Sequence, residues 1–275
     1  MPILHAIVLG IVQGLSEFLP ISSSGHLILV PWLFDWDDFA GDESLKKTFD
    51  VALHIGTLVG VLAYFRKDLV RIAVDGVTRP RTREGRLAWF LLASSVPAAI
   101  TGALFSDVIE EELGQIWLIA LMLIVFGIVL WWADRQKGGR AAEEATLRDF
   151  MIMGAGQAMA LQPGVSRSGV TMTAGRVAGL DRDGAVRIAF LMSVPITAGA
   201  VLFKAVDAFG PDGSGIPAGF GPAFVWGIVA SAVTGWIAVW GTLTLVRTHS
   251  FMPFVIYRVA LGIVVLILVA FGYQD

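Results

Sequence analysis

No cysteine occurs in the 275 residues, which excludes disulfides, thiolate chemistry and cysteine-ligated metal. Histidine is almost as scarce, with four in the chain. They form no cluster, so a zinc site has no ligand set. Charge is sparse as well. Asp, Glu, Lys and Arg make up 16% of the chain against roughly a quarter in soluble domains. The hydrophobic share is 56% and the mean hydropathy +0.73. That much apolar surface needs lipid to cover it, so the chain reads as an integral membrane protein. The basic residues form no soluble basic domain, so nucleic-acid binding has no support. The start, "MPILHAIVLGIVQG", lacks a basic segment and an A-x-A-like cleavage site, and is expected to be mature structure, not a removed signal peptide. What is plentiful agrees: 31 Gly and nine Trp suit membrane helices and their interfaces.

A hydrocarbon core of about 30 Å needs about 20 apolar residues to cross it. Six stretches qualify: 49–65, 87–105, 116–133, 184–204, 222–246 and 253–272. Residues 3–34 and 148–180 are also apolar, but each is broken in its middle by Pro, Gly and clustered hydroxyls, leaving halves too short to span. Such segments predict re-entrant helix–loop–helix hairpins, which need the loop buried in protein or facing a wet cavity. Lys and Arg concentrate in 66–86 and 134–149 and are absent from 106–115 and 205–221, while 35–48 is mostly acidic. The positive-inside rule places the first two cytoplasmic and the other three outside. The hairpins then enter from opposite faces, each followed by three spans. The predicted fold class is an all-α polytopic membrane protein, one integral membrane domain over 1–275. It is an inverted-topology repeat, with each half a re-entrant hairpin plus three transmembrane helices, repeat 1 over 1–134 and repeat 2 over 147–275. A shift of 144 residues supports it, superposing Gly10 on Gly154, Gln13 on Gln157, Ser22 on Ser166, Ser24 on Ser168 and Gly25 on Gly169. Inverted repeats of broken helices place their site near the midplane.

The two breaks carry complementary chemistry. In the first, Gln13 and Glu17 share a helix face, Pro20 ends the helix, and Ser22, Ser23, Ser24 and Gly25 lead to His26. Helix capping accounts for one or two of the serines, but not for three beside an acid and an imidazole. A carboxylate inside a membrane segment marks a functional site by default. Glu17 could ligate metal or act as a base, Gln13 could coordinate, and His26 could serve as base or nucleophile. The second break, "PGVSRSGVT", presents Gly164, Ser166, Arg167, Ser168 and Thr171. Backbone N–H groups at a helix start with a guanidinium beside them form an anion site. An acid, a nucleophile and an anion cradle outline phosphoryl transfer, where positioning and charge stabilisation do most of the work. A hard divalent cation, Mg²⁺ or Ca²⁺, would find oxygen ligands in Glu17, phosphate and water. His54 reads equally as a neighbour of the site or a satisfied core histidine, and Arg258 as a side chain reaching the cytoplasmic face. Asp107 and Glu110 to Glu112 read as a solvated outer loop.

"GIVQGLSEFLPISSSGHL" and "PGVSRSGVT" resemble the two signature regions of bacterial undecaprenyl-diphosphate phosphatases of the bacitracin-resistance type. The resemblance implies a multi-pass protein of the bacterial cytoplasmic (inner) membrane that converts undecaprenyl diphosphate to undecaprenyl phosphate and inorganic phosphate. The product is the carrier lipid for cell-wall synthesis, and the activity confers bacitracin resistance. It also implies a divalent cation and an inverted repeat with two re-entrant hairpins. The family's (Glu/Gln)-x-x-x-Glu motif falls on Gln13 and Glu17, the expected metal ligands. Its serine, histidine and arginine fall on Ser23, His26 and Arg167, which with Glu17 form the expected catalytic set. Gln13 removes one carboxylate and leaves Glu17 as the main anionic ligand.

Read together, these residues predict that Arg167 with Gly164, Ser166, Ser168, Thr171, Ser22 and Ser24 holds the phosphates of a polyprenyl diphosphate whose tail lies in membrane lipid. Either Ser23 or His26 attacks, in a site opening to the periplasmic side, and the chain could work alone or as a homodimer. The rival reading is a secondary transporter or flippase of a lipid phosphate using the same midplane anion site.

Overall fold

The computed structural model describes residues 1–111, 113–209, 216–217 and 219–274, with the backbone alone in 106–111 and 206–209. Among them are ten α-helices: α1 (Ile3–Phe18), α2 (Ser23–Phe34), α3 (Glu43–Thr78), α4 (Arg83–Glu111), α5 (Ile116–Asp134), α6 (Leu147–Met159), α7 (Arg167–Val177), α8 (Arg182–Phe209), α9 (Gly221–Val246) and α10 (Met252–Ala270). Six of them, α3, α4, α5, α8, α9 and α10, are long and apolar enough to cross a membrane, which makes the chain a multi-pass membrane protein.

The sequence places both helix breaks correctly. Leu19 precedes Pro20 and takes an extended conformation (φ −67°, ψ 141°), as the residue before a proline must, so α1 stops. Ser22 then turns the chain at φ 79° and caps α2, its Oγ accepting from Gly25 N. The second break repeats this geometry 144 residues later, with Ser166 at φ 76° and its Oγ accepting from Gly169 N. At about 1.5 Å per residue, none of α1, α2, α6 and α7 reaches 30 Å.

Helix bounds depart from expectation in two places. The 66–86 connection is not all loop, because α3 continues to Thr78. Leu69, Ile72 and Gly76 form an apolar face packed on the core, and at the other end Asp42 caps the helix by accepting from Leu45 N. The 36-residue helix is ~54 Å long and projects beyond a bilayer core. Residues 106–111, expected in an outer loop, continue α4 past a non-helical Phe105. The side chains of Asp107 and Glu110 to Glu112, and residues 210–215 of the 205–221 stretch also expected outside, lie outside the described residues.

α9 lies between α1 and α3, at distances only small residues permit. A Cβ on Gly10 would meet the Gly227 carbonyl oxygen at 2.5 Å, and one on Gly56 that of Ile228 at 2.5 Å. Gly154, the counterpart of Gly10, abuts the Ser94 carbonyl of α4 in the same way. Each hairpin therefore leans on a span from the other half of the chain.

At the base of the second hairpin, Arg140 donates to both Asp149 oxygens at 2.8 Å and to Ala178 O at 2.6 Å. Asp149 also accepts from Thr146 N and Oγ1. The Arg140 hydrogen bonds, reinforced by Thr146, hold the Asp149 carboxyl down to about 2 from an ordinary 3.8. A depressed carboxylate contributes stability that is complete above its unfolded value and is lost as pH falls through the folded one. Arg140→Ala is expected to destabilise the protein by ~1–2 kcal/mol at neutral pH, allowing for the exposure of the guanidinium. The gap between variant and wild-type melting temperatures in detergent should shrink as pH falls from about 4 towards about 2. A gap independent of pH would show that the pair does not carry this stability.

Candidate active site

Glu17 ends α1 in the protein interior, 6% exposed. Both of its oxygens are engaged. Oε1 accepts from Arg167 Nη2 at 2.8 Å. Oε2 accepts from Ser23 Oγ at 2.6 Å and from Gln13 Nε2 at 3.2 Å. Gln13 and Glu17 therefore share a helix face, as their spacing requires. The acid of the first break meets the arginine of the second across 150 positions of sequence. Gln13 Oε1 and Arg167 Nη1 are buried without a protein partner. They leave one acceptor and one donor available on either side of the carboxylate.

The loops are sewn together by the other hydroxyls. Ser22 Oγ accepts from Gly164 N at 3.0 Å, and Ser168 Oγ donates to Leu19 O at 3.0 Å. Ser166 Oγ lies 3.3 Å from Ser168 Oγ. The Thr171 hydroxyl donates to the carbonyls of Arg167 and Ser168 in its own helix. Ser24 is half-buried with no side-chain hydrogen bond among the described residues. Gly164 has φ 93°, and a Cβ there would lie 2.5 Å from Ile119 O, so α5 packs directly on the loop. The first N–H groups of α2 and α7, from Ser23, Ser24, Arg167 and Ser168, have no partner within their helices. With the Arg167 side chain they form the donor set that an anion would meet.

His26 is set apart from this cluster. Its Nδ1 lies 2.7 Å from Ser22 O, an acceptor only, so Nδ1 carries the proton. Nε2 then accepts from the Tyr257 hydroxyl at 2.7 Å, and the two rings stack. Among the described residues, no hydrogen bond or ion pair joins the His26 side chain to Glu17, Ser23 or Arg167. His54, which the sequence left open, comes nearer: its Nε2 is 3.8 Å from Glu17 Oε2.

Arg258 corrects the sequence reading. It does not reach for the cytoplasmic face. It is fully buried, at 0% exposure, and donates to five carbonyls: Pro20 of the first break, Gly164 and Val165 of the second, and Met122 and Leu123 of α5. The physical reason lies in the breaks. They strip carbonyl oxygens of their helical donors, and in an apolar interior those acceptors need replacements. Tyr257 was also missed. The available signal was a charged residue within an apolar span, together with a phenol beside it in "FVIYRVALG".

The chain that builds this site has relatives of known name. The family model described as bacitracin resistance protein BacA matches residues 6–264. The chain is 46% identical over 264 residues to an undecaprenyl-diphosphatase of Moorella thermoacetica, covering 95% of this chain and 96% of that one. It is 44% identical over 277 residues to one of Pelotomaculum thermopropionicum, covering 99% and 100%. It is 42% identical over 263 residues to one of Elusimicrobium minutum, covering 96% of each. With matches of this extent around a buried acid, serine and arginine, the chain belongs to the bacitracin resistance protein BacA family.

Proposed function

We propose that this chain is an undecaprenyl-diphosphatase, hydrolysing the lipid diphosphate to undecaprenyl phosphate and inorganic phosphate. The carrying observation is one carboxylate that holds a serine hydroxyl at 2.6 Å and a guanidinium at 2.8 Å. These are a base with its nucleophile and a cation for phosphate each in contact with it. A carrier of lipid phosphate needs only the cation, and its relatives would not be named diphosphatases; that reading is not supported.

Ser23, not His26, is the nucleophile in this reading. Its proton already points at Glu17, whereas the His26 lone pair is taken by Tyr257. Arg167 and the free N–H groups of α2 and α7 receive the phosphates, displacing the guanidinium partly from Glu17. Glu17 takes the proton as Ser23 Oγ attacks, and undecaprenyl phosphate leaves. His26 holds the Ser22 turn through its carbonyl. A divalent cation, Mg²⁺ or Ca²⁺, fits as a companion of the diphosphate: Gln13 Oε1, buried without a partner, and Glu17 would be its protein oxygens. It would supply charge neutralisation on the phosphate.

The finer architecture belongs to the same proposal. The chain forms one membrane domain of two repeats, 1–134 and 147–275, of opposite topology with re-entrant hairpins. Matching Ser22 and Ser166 caps and exchanged packing partners support this. The protein resides in the bacterial cytoplasmic membrane. The site opens outward in this reading, which the charge bias of the loops supports; a separate cavity of about 100 Å³ lined by Trp36, Asp42, Lys46 and Asp50 lies towards the same side.

Purified protein in detergent is expected to release phosphate from undecaprenyl diphosphate when Mg²⁺ or Ca²⁺ is present. Ser23→Ala should lower kcat by about 10³-fold or more, and His26→Ala by less. Label trapped from terminally labelled substrate should survive acid as phosphoserine does. Acid-labile label would transfer the nucleophile to histidine, and no release by the wild type would overturn the assignment.

A further inference from the structure

The two breaks build the same turn, but one of them uses more parts. Ser22 and Ser166 sit at φ 79° and 76°, a region that L side chains enter only at a cost. Each carbonyl accepts the first helical hydrogen bond, Ser166 O from Val170 N at 2.8 Å and Ser22 O from His26 N at 3.1 Å. There the copies diverge. The repeat shift pairs His26 with Val170, which has no polar side chain to add. In the first break the His26 ring makes a second bond to the same carbonyl, Nδ1 donating to Ser22 O at 2.7 Å. The Tyr257 hydroxyl then donates to Nε2 at 2.7 Å, and the ring planes lie within 13° of each other. Because Ser166 takes the same conformation without an imidazole, the turn itself does not require this brace. The copy that has it carries Ser23, the residue after Ser22, whose Oγ is 2.6 Å from Glu17. The next residue of α10 grips the same loop, Arg258 donating to Pro20 O at 3.2 Å.

We propose that Tyr257 is a positioning residue of the reaction. Its hydroxyl fixes the His26 ring, His26 holds the Ser22 carbonyl, and Ser23 Oγ thereby keeps its line to Glu17 and to phosphorus. The inference rests on the diphosphatase reading. The Ser22 carbonyl can only accept, so the imidazole proton sits on Nδ1 and Nε2 presents a bare lone pair. His26 is buried, at 6% exposure, and that lone pair needs a donor, which the phenol supplies. Without it the ring is free to turn away from Ser22 O. The brace matters most when substrate is bound. Phosphates that draw Arg167 away from Glu17 remove one restraint on the carboxylate while Ser23 must stay aligned. A misplacement of about 1 Å at a reacting atom costs on the order of 10²-fold in rate.

The test uses the full-length protein in detergent with undecaprenyl diphosphate and Mg²⁺. Tyr257→Phe keeps the stacked ring and removes only the hydroxyl. It should lower kcat about tenfold with KM within about twofold, and leave the melting temperature close to that of the wild type. In the His26→Ala background the same substitution should slow the enzyme no further, because the hydroxyl acts only through the imidazole. With histidine labelled by the NMR-active nitrogen isotope, the His26 Nε2 resonance, assigned by its loss in His26→Ala, should move in Tyr257→Phe. A packing role would not move it. Wild-type kcat in Tyr257→Phe, or an unmoved resonance, would overturn the proposal. So would an equal slowing in both His26 backgrounds, which means independent action. A faster Tyr257→Phe would overturn it too, by showing that the freed lone pair itself reacts. A silent wild type would instead bring down the diphosphatase reading, and this role with it.

Discussion

Arg167→Ala is expected to reduce phosphate release by about 10³-fold or more, as the loss of a preorganised cation at a phosphoryl centre does, and to destabilise the protein at the same time. The sequence alone suggests a loss of activity without unfolding. The structure changes that, because the guanidinium is also the partner of Glu17, 2.8 Å away with both side chains largely buried. Removing one member of a buried pair leaves an uncompensated charge, at ~3–5 kcal/mol. The two effects separate in a double variant. Glu17→Gln/Arg167→Gln should regain most of the melting temperature that Arg167→Ala loses, because no charge remains to be stranded, yet it should stay inactive. Arg167→Lys keeps the charge without the planar fork and should fall between. If Arg167→Ala melts like the wild type in detergent, the ion pair does not hold the two breaks together. If it also turns over like the wild type, the phosphate role fails.

The second large effect is predicted at Arg258, far from either signature in sequence. Arg258→Met should fail to accumulate as a monodisperse protein, or melt far below the wild type. The variant strands the three break carbonyls, Pro20, Gly164 and Val165, in an apolar interior, while those of Met122 and Leu123 keep their donors within α5. Each unsatisfied acceptor costs ~1–3 kcal/mol, against a total stability of only ~5–15 kcal/mol. Methionine fills much the same volume, so packing loss is minimised and the missing donors are what is measured. Arg258→Lys should recover part of the loss, since an ammonium has three donors to the guanidinium's five. Purification yield and thermal unfolding decide the matter, and a robust Arg258→Met protein would show that the loops need no such staple. In a partly stable variant, the same displacement of Pro20 and Gly164 would loosen the contact between Ser23 and Glu17, so activity should fall before the fold is lost.

Much of the site was legible because its chemistry is conspicuous in a greasy sequence. Glu17, Ser23 and Arg167 stand out against apolar neighbours, and the structure brings all three into contact. The identity of the hydroxyls did not reveal their partners. Ser22, Ser166, Ser168 and Thr171 look like phosphate ligands in a string of letters; in the structure the serine oxygens also cap helices and cross-link the loops, and the Thr171 hydroxyl bonds carbonyls of its own helix. His26 and His54 exchanged prominence for a similar reason. Proximity in sequence favours His26, but both of its ring nitrogens are engaged elsewhere, by the Ser22 carbonyl and by the Tyr257 hydroxyl 231 positions away.

The sequence by itself determined the class of the molecule: apolar spans by composition and two helix breaks by Pro and Ser chemistry. These are local properties, set by each segment's own residues and their transfer into lipid. Which groups face one another was decided only by tertiary structure. Arg167 finds Glu17, Arg258 finds five carbonyls and His54 finds Glu17 across separations that no local preference encodes. What selects these pairings is the need, in an interior without water, to give every buried charge and every unpaired carbonyl a partner.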